Sequence, residues 1–444
     1  MIMSELRIPI EQWQSLSSAE QTQRLARPGR AQAESLREKV AVILSDVRDN
    51  GERAVLNYTR QFDNPDATSL RMSDQQVEAA VASLDDKVKR AIDTAYQTIY
   101  RFHEAQRPQN LSIETAPGVQ CELRYAPLDA VGLYIPGGSA TLPSTALMLG
   151  VPAQIAGCQR VVMVSPPNKQ GELPAALLYA AKRCGVTDIL LCGGAQAIGA
   201  LAYGIESSPA VGKVFGPGNS FVTEAKQQVS QNDSGCAMDL PAGPSELLVI
   251  ADDSANPAYV AADLLSQAEH GPDSQVILLT PSMTVAENVR QELMAQCAQL
   301  SRADIAEQAL QASRLLVVAD MNEAIAISET YAPEHLSIQT DNARDLLPQL
   351  TRAGSVFVGH YTPESGGDYA TGTNHVLPTY GYARNYSSLG LVDFYRRYTV
   401  QEASHDGLRQ LAEAITTLAD VEGLDAHKRA VTIRTETKST ESKL

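Results

Sequence analysis

The spacing of apolar residues changes period along this 444-residue chain, and the changes divide it into segments. From about residue 31 to 107 the period is helical. Ser73-Asp-Gln-Gln76 has capping-box spacing, and Val77, Ala80, Val81 and Leu84 follow at helical intervals. Residues 118–125 alternate as a strand does. Short apolar runs then alternate with helical stretches. Strands are expected at 131–135, 160–164, 188–192 and 213–215, with helices near 144–156, 173–184, 196–203 and 221–230. A second series places strands at 247–251, 275–280, 314–319, 335–339 and 355–358, with helices at 257–270, 285–300 and 322–330 between them. Such alternation builds parallel sheets covered by helices. The expected fold class is therefore α/β, with two Rossmann-like parallel-sheet units and helical N- and C-terminal segments. Residues 1–30 form the N-terminal segment, 31–133 plus 247–388 a large α/β domain, and 134–246 a second α/β domain. After residue 359 the period is lost in a Gly/Thr/Tyr/Ser-rich loop through 388, and residues 389–444 form a C-terminal helical segment with helices near 405–420 and 425–434.

One helix has both ends marked. Asn256 is an N-cap and Pro257 suits the first helical position, while Gly271 in the left-handed conformation and Pro272 would close it. At 3.6 residues per turn, Ala261, Leu264, Leu265 and Ala268 share the apolar face, with Asp263, Gln267 and His270 along its edge. Gln267 and His270, three apart, project together from the last turn, where a metal could be held.

Composition narrows the function classes. A net charge of −16 argues against nucleic acid or an anionic membrane as partner. No apolar run is long enough to span a membrane, and the first thirty residues lack the apolar core of a secretion signal. The six cysteines are scattered, without a Cys-x-x-Cys pair, which suits reduced thiols in a cytoplasm.

Ligands of α/β sheets bind beyond the C-terminal ends of the strands. Tyr134-Ile-Pro-Gly137-Gly138-Ser139, Cys192-Gly-Gly-Ala-Gln196 and Phe215-Gly-Pro-Gly218-Asn219-Ser220 follow three successive strands of one unit. Glycine lets a backbone approach a ligand closely and helix N-termini favour anions, so the three together point to a nucleotide. The mode would not be the usual dinucleotide fingerprint, since Phe221 stands where its third glycine belongs. Pro333-Glu334-His335-Leu336, at a helix-to-strand junction, offers two proton acceptors of different basicity. Gly366-Gly-Asp368-Tyr-Ala-Thr-Gly-Thr-Asn-His375 has neither helical nor strand period, and Asp368 would add a hard anionic ligand to the Gln/His pair. Glu422 and His427 lie five apart near the C-terminus.

These strings, with Val131-Gly-Leu-Tyr-Ile-Pro-Gly-Gly-Ser139, Asp239-Leu-Pro-Ala-Gly-Pro-Ser-Glu246, Ser266-Gln-Ala-Glu-His-Gly-Pro-Asp273 and Ala426-His-Lys428, resemble the histidinol dehydrogenases over essentially the whole chain. The resemblance implies oxidation of L-histidinol to L-histidine through L-histidinal with two NAD⁺, in histidine biosynthesis, and one Zn²⁺ per subunit. It implies Gln267, His270, Asp368 and His427 as zinc ligands. Ser245, His335 and Glu422 join them as substrate contacts, and Tyr134, Gln196 and Asn219 as NAD⁺ contacts. His335 would take the hydroxyl proton and Glu334 would serve the second oxidation. His427 would arrive from a partner subunit, making a homodimer with shared active sites. His375 is expected to support the ligands, His103 and His405 to lie on helix surfaces, and Cys236 and His360 to have no role. The competing readings are a dehydrogenase of the same architecture acting on another amino alcohol or polyol, and a zinc hydrolase with Glu334 as general base.

Overall fold

A computed structural model describes residues 8–28, 33–137, 142–241 and 243–436. They divide into two compact units, Met1–Gln106 with Leu128–Asp393, and Arg107–Pro127 with Phe394–Leu444. The strands in chain order are β1 (Ile10–Gln12), β2 (Leu111–Ala116), β3 (Val119–Pro127), β4 (Ala130–Tyr134), β5 (Arg160–Ser165), β6 (Asp188–Leu191), β7 (Lys213–Phe215), β8 (Ala237–Met238), β9 (Glu246–Ala251), β10 (Gln275–Thr280), β11 (Arg314–Val317), β12 (His335–Gln339), β13 (Ser355–Val358) and β14 (Tyr395–Ala403).

The first unit holds two parallel sheets. One has the order β6-β5-β4-β7-β8. Its first strand in sequence, β4, is central, and the chain winds outward on one side through β5 and β6 and then on the other through β7 and β8. The direction of winding reverses between β4 and β7, where a ligand crevice forms in open α/β sheets. The other sheet has the order β1-β11-β10-β9-β12-β13, with its own reversal between β9 and β12. Helices cover both faces, which is why β4, β5, β9 and β10 are near-continuous apolar runs: every residue of β9 and β10 is buried. The expected α/β class with two parallel-sheet units is the fold observed.

Several elements differ from the sequence-based expectation. The N-terminal segment contributes a strand, β1, paired to β11 at the sheet edge. The second unit contains a sheet as well as helices, β14-β3-β2, entirely antiparallel, with helices His405–Val421 and Asp425–Glu436. No residue of β14 is buried, so no alternation of apolar and polar positions marked it. Its order comes from pairing with β3, remote in sequence. Residues 364–369, expected to be loop, form a short helix, Glu364–Tyr369. Helix Pro257–Ala268 is capped by Asn256 as expected, its side chain accepting from the Ala258 N–H at 3.0 Å. Gly271 does not close it in the left-handed conformation. The last turn tightens instead, with the His270 N–H donating to the Gln267 carbonyl at 3.2 Å, so no left-handed residue is needed. His103 is fully buried, not on a helix surface. Its Nδ1 donates to the Ile99 carbonyl at 2.8 Å and its Nε2 accepts from Asn374 at 3.3 Å, so the ring is held neutral inside the unit. No helix among the described residues is long and apolar enough to cross a membrane.

Candidate active site

A cleft of about 750 Å³ in the first unit collects most of the expected residues. From the five-stranded sheet come Gly216, Pro217, Gly218 and Asn219, which follow β7 at its C-terminal end. From the six-stranded sheet come Ser245, Glu334 and His335, with Gln267, His270 and Asp368 beside them. This second group does not lie beyond strand C-termini, as the general rule for α/β sheets led us to expect. Ser245 precedes β9, and His335 opens β12, so both sit at the strands' N-terminal edge. A helix that follows a strand runs back along the sheet, so Pro257–Ala268 delivers Gln267 and His270 to that same edge.

Each side chain there has an identifiable holder. The backbone of Glu246 grips both members of the Glu-His pair. Its N–H donates to Glu334 Oε2 at 2.8 Å, and its carbonyl accepts from His335 Nδ1 at 3.1 Å. That fixes the proton on Nδ1 and leaves Nε2 as the basic nitrogen. His270 is oriented similarly: its Nδ1 donates to the Ser266 carbonyl at 2.9 Å, and its Nε2 lies 3.6 Å from Asp368 Oδ2. His375 Nδ1 donates to the Asp368 carbonyl at 3.0 Å. Burial pushes its pKa down to about 4, so it stays neutral.

Glu364 was not singled out in the sequence, yet it is completely buried in this centre. Ser266 donates to its Oε2 at 2.6 Å, while Oε1 has no hydrogen-bond partner and faces His335 Nε2 at 4.0 Å. His335, Glu364 and Asp368 present ligand atoms within 4.8 Å of one another. Nothing in the residues of 364–369 marked Glu364, because only the packing of its short helix against Pro257–Ala268 turns it inward.

The electrostatics are one-sided. Burial opposes a charge on His335, but Glu334, Glu364 and Asp368 outweigh it and raise the imidazole to about 10. Burial also raises the carboxyl groups of Glu364 and Asp368. Three acids around one imidazole is an excess of negative charge that a divalent cation would offset. The donors fit such an ion. Gln267 Oε1 is buried without a partner, and His270 has its Nδ1–H tied to a carbonyl with Nε2 turned to a carboxylate, the usual arrangement of a metal-binding histidine. A nitrogen, a carboxylate oxygen and a neutral amide oxygen are borderline-to-hard donors that suit zinc.

The nucleotide-type loop is held just as firmly. Gly216 has φ +119° and packs so closely on the Tyr134 carbonyl that a Cβ would collide with it. Its N–H donates to Asp239 Oδ2 at 2.7 Å and its carbonyl accepts from Lys226 Nζ at 2.9 Å. Lys226 and Asp239, both buried, pair at 2.5 Å. Asn219 caps helix Ser220–Ser230, its Oδ1 accepting from the Val222 N–H at 3.2 Å. Tyr134 and Gln196 are buried and do not themselves line the cleft. The Tyr134 hydroxyl accepts from the Gly194 N–H at 3.1 Å, and Gln196 lies in the first turn of helix Gly194–Tyr203. Of the loop at residues 134–139, Pro136 and Gly137 line the cleft, and residues 138 and 139 lie outside the described residues. Glu422 and His427, both exposed, flank the turn between the two helices of the second unit.

No cysteine lines the cleft among the described residues. Burial raises the Cys184 thiol to about 12 and those of Cys158 and Cys236 to about 11, so none of these three is a ready nucleophile.

A two-sheet α/β fold with a glycine-rich loop at one switch point, facing a buried histidine among carboxylates, defines an enzyme with an acid–base centre beside a nucleotide-type loop. Comparison with known proteins makes the class specific. The sequence model of the family described as histidinol dehydrogenase matches residues 26–435. A histidinol dehydrogenase of Colwellia psychrerythraea strain 34H is 57% identical over 424 residues, covering 96% of this chain and 98% of that protein. One from Vibrio cholerae strain N16961 is 54% identical, covering 96% and 97%. The crystal structure of histidinol dehydrogenase from Elizabethkingia anophelis matches with a TM-score of 0.91 at 44% identity, over 96% of this chain and 97% of that one. The chain belongs to the histidinol dehydrogenase family and is an enzyme of that class.

Proposed function

We propose that the chain is a zinc-dependent, four-electron oxidoreductase that converts L-histidinol to L-histidine through L-histidinal, with two NAD⁺ as cosubstrates, in cytoplasmic histidine biosynthesis. The observation that carries this reading is the grip of the Glu246 backbone on both Glu334 and His335, in one cleft with the Gly216–Asn219 loop and the Gln267, His270 and Asp368 donors.

Gln267, His270 and Asp368, with His427 of a partner subunit in a homodimer, would hold the zinc, whose charge would orient the substrate's nitrogen and oxygen groups. NAD⁺, which Asn219, Tyr134 and Gln196 would help to bind, supplies the hydride acceptor. Ser245 and Glu422 would hold the substrate. With a bound cation offsetting the three acids that surround it, His335 would be neutral and would accept the alcohol proton at Nε2 as the C–H hydride leaves, giving the aldehyde. Glu334 then takes a proton from water adding to that aldehyde, or from the hydrate so formed. Loss of a second hydride from the deprotonated hydrate leaves the carboxylic acid, which ionises to the carboxylate. Two acceptors of different basicity serve the two deprotonations, and burial keeps both from bulk water. Incubating the protein with L-histidinol and NAD⁺ should yield two NADH per substrate, with histidine as product. One NADH and released histidinal would overturn the reading.

A further inference from the structure

Behind the Glu-His pair lies a second layer to which no role has been given. The side chain of Glu246, the residue whose backbone grips both Glu334 and His335, is buried. Arg27 of the N-terminal segment engages both of its carboxylate oxygens, Nη2 meeting Oε2 at 2.9 Å and Nε meeting Oε1. The same guanidinium donates from Nη2 to the carbonyls of Tyr331, at 2.9 Å, and Ala332, at 3.3 Å, and lies 3.9 Å over the Tyr331 ring. The Tyr380 N–H adds a bond to Glu246 Oε1 at 2.8 Å, and the Tyr380 hydroxyl donates to the Pro28 carbonyl at 3.1 Å.

Two residues with positive φ other than glycine occur among the described residues, Ala332 at 53° and Tyr380 at 54°. Both are bonded into this cluster. Such backbone persists only where its surroundings over-determine it. Ala332 leads through Pro333 directly into Glu334 and His335, so its conformation sets the direction in which that pair enters the cleft. The planar fork of an arginine is suited to fixing a carboxylate in two dimensions while still reaching two carbonyls.

We propose that Arg27 is a positioning residue for the Glu334–His335 pair, acting through Glu246 and the turn at Ala332. The proposal rests on that pair being the proton acceptors. Arg27 fixes Glu246 from the side-chain end, and Glu246 fixes the two acceptors from its backbone. The N-terminal segment thus sets the geometry of a centre more than two hundred residues away in sequence.

The test is Arg27→Ala in the full-length, zinc-loaded enzyme, assayed with histidinol and with histidinal, without and with guanidinium kept far below denaturing concentrations. Misplacement of reacting groups by a fraction of an ångström to 1 Å predicts a loss of about 100-fold in kcat for both substrates. KM for NAD⁺ and zinc content should stay near the parent values. Added guanidinium, occupying the vacated fork, should recover about tenfold or more of the lost kcat. Arg27→Lys keeps the charge without the fork, so it should be slowed too and should not respond to guanidinium. A folded Arg27→Ala enzyme with parental kcat, or a loss that appears only in KM for NAD⁺, or a loss that guanidinium leaves untouched, overturns the proposal. If the alanine variant does not fold, the lysine variant carries the test: parental kcat there overturns it. Glu334→Gln and His335→Asn in the same assays separate the two levels. If both remain fully active, the acid–base reading has failed and takes the proposal with it. If they are impaired while Arg27→Ala is not, only the positioning role is refuted.

Discussion

Replacing Lys226 by methionine should separate what holds the glycine loop from what merely stabilises the unit. Lys226 and Asp239 are both almost wholly buried and pair at 2.5 Å, and between them they hold both backbone polar groups of Gly216. Methionine matches the lysine stem but takes the paired ammonium from the Asp239 carboxylate, and leaves the Gly216 carbonyl without its donor. Removing one partner of a buried ion pair costs about 3–5 kcal/mol. In a unit of this size that corresponds to a fall of about 4–6 °C in the thermal midpoint. KM for NAD⁺ should rise more than KM for histidinol, because the loop that ends at Asn219 loses its anchor. Lys226→Met/Asp239→Leu should then recover most of the stability, since a buried pair replaced by apolar residues is often close to neutral. It should not recover the affinity for NAD⁺. Midpoints by calorimetry and steady-state kinetics for both substrates provide the readings. A single variant that loses less than about 1 kcal/mol would show that this pair is weakly coupled to folding. A double variant that regains both stability and cofactor affinity would refute the loop-holding argument.

Other outcomes follow from the same geometry. Glu334→Gln should chiefly slow oxidation of supplied histidinal while His335→Asn slows both half-reactions, each by about 10²–10⁴-fold; equal small losses everywhere would reject the division of labour. Chelation of the metal should abolish turnover while circular dichroism stays near native, because the donors lie at helix ends of an already packed unit; activity in a verified zinc-free sample would refute the donor assignment. Mixing inactive His270→Ala and His427→Ala variants should restore activity if each site borrows His427 from a partner, and verified subunit exchange without recovery would refute the shared site. Burial raises the half-buried Asp63 carboxyl to about 6, and its Oδ2 has no hydrogen-bond partner. The folded state therefore holds this proton more tightly than the unfolded one, so the group favours folding below about pH 4 and that contribution is lost as pH rises through 6. Asp63→Asn should stabilise the protein at pH 7–8 by on the order of 1–2 kcal/mol after allowance for solvent screening, and should flatten the stability profile between pH 4 and 6; an unchanged profile would refute it.

The sequence by itself determined those features that depend on local chemistry. Apolar runs bounded by glycine and proline fixed the strands of both parallel sheets apart from the edge strands β1 and β8, because a strand covered by helices on both faces must be continuously apolar. The Asn256-Pro257 start of one helix was legible for the same kind of reason, since a cap satisfies donors only two or three residues away. The Glu334-His335 junction and the Gln267/His270 spacing were legible because neighbours in sequence are neighbours in space there. Tertiary structure alone decided the rest. Glu364 faces the centre only because its short helix packs against Pro257–Ala268. Strand β14 is ordered by pairing with β3 and shows no buried face of its own. His103 is buried because Asn374, far along the chain, comes to meet it. The clasp of Arg27 on Glu246 joins residues whose separation in sequence carries no period, cap or motif. A pattern along the chain records interactions across one or two turns. Where two distant segments meet is set by how the sheets and helices fill space, and the reactive centre here is assembled almost entirely from such meetings.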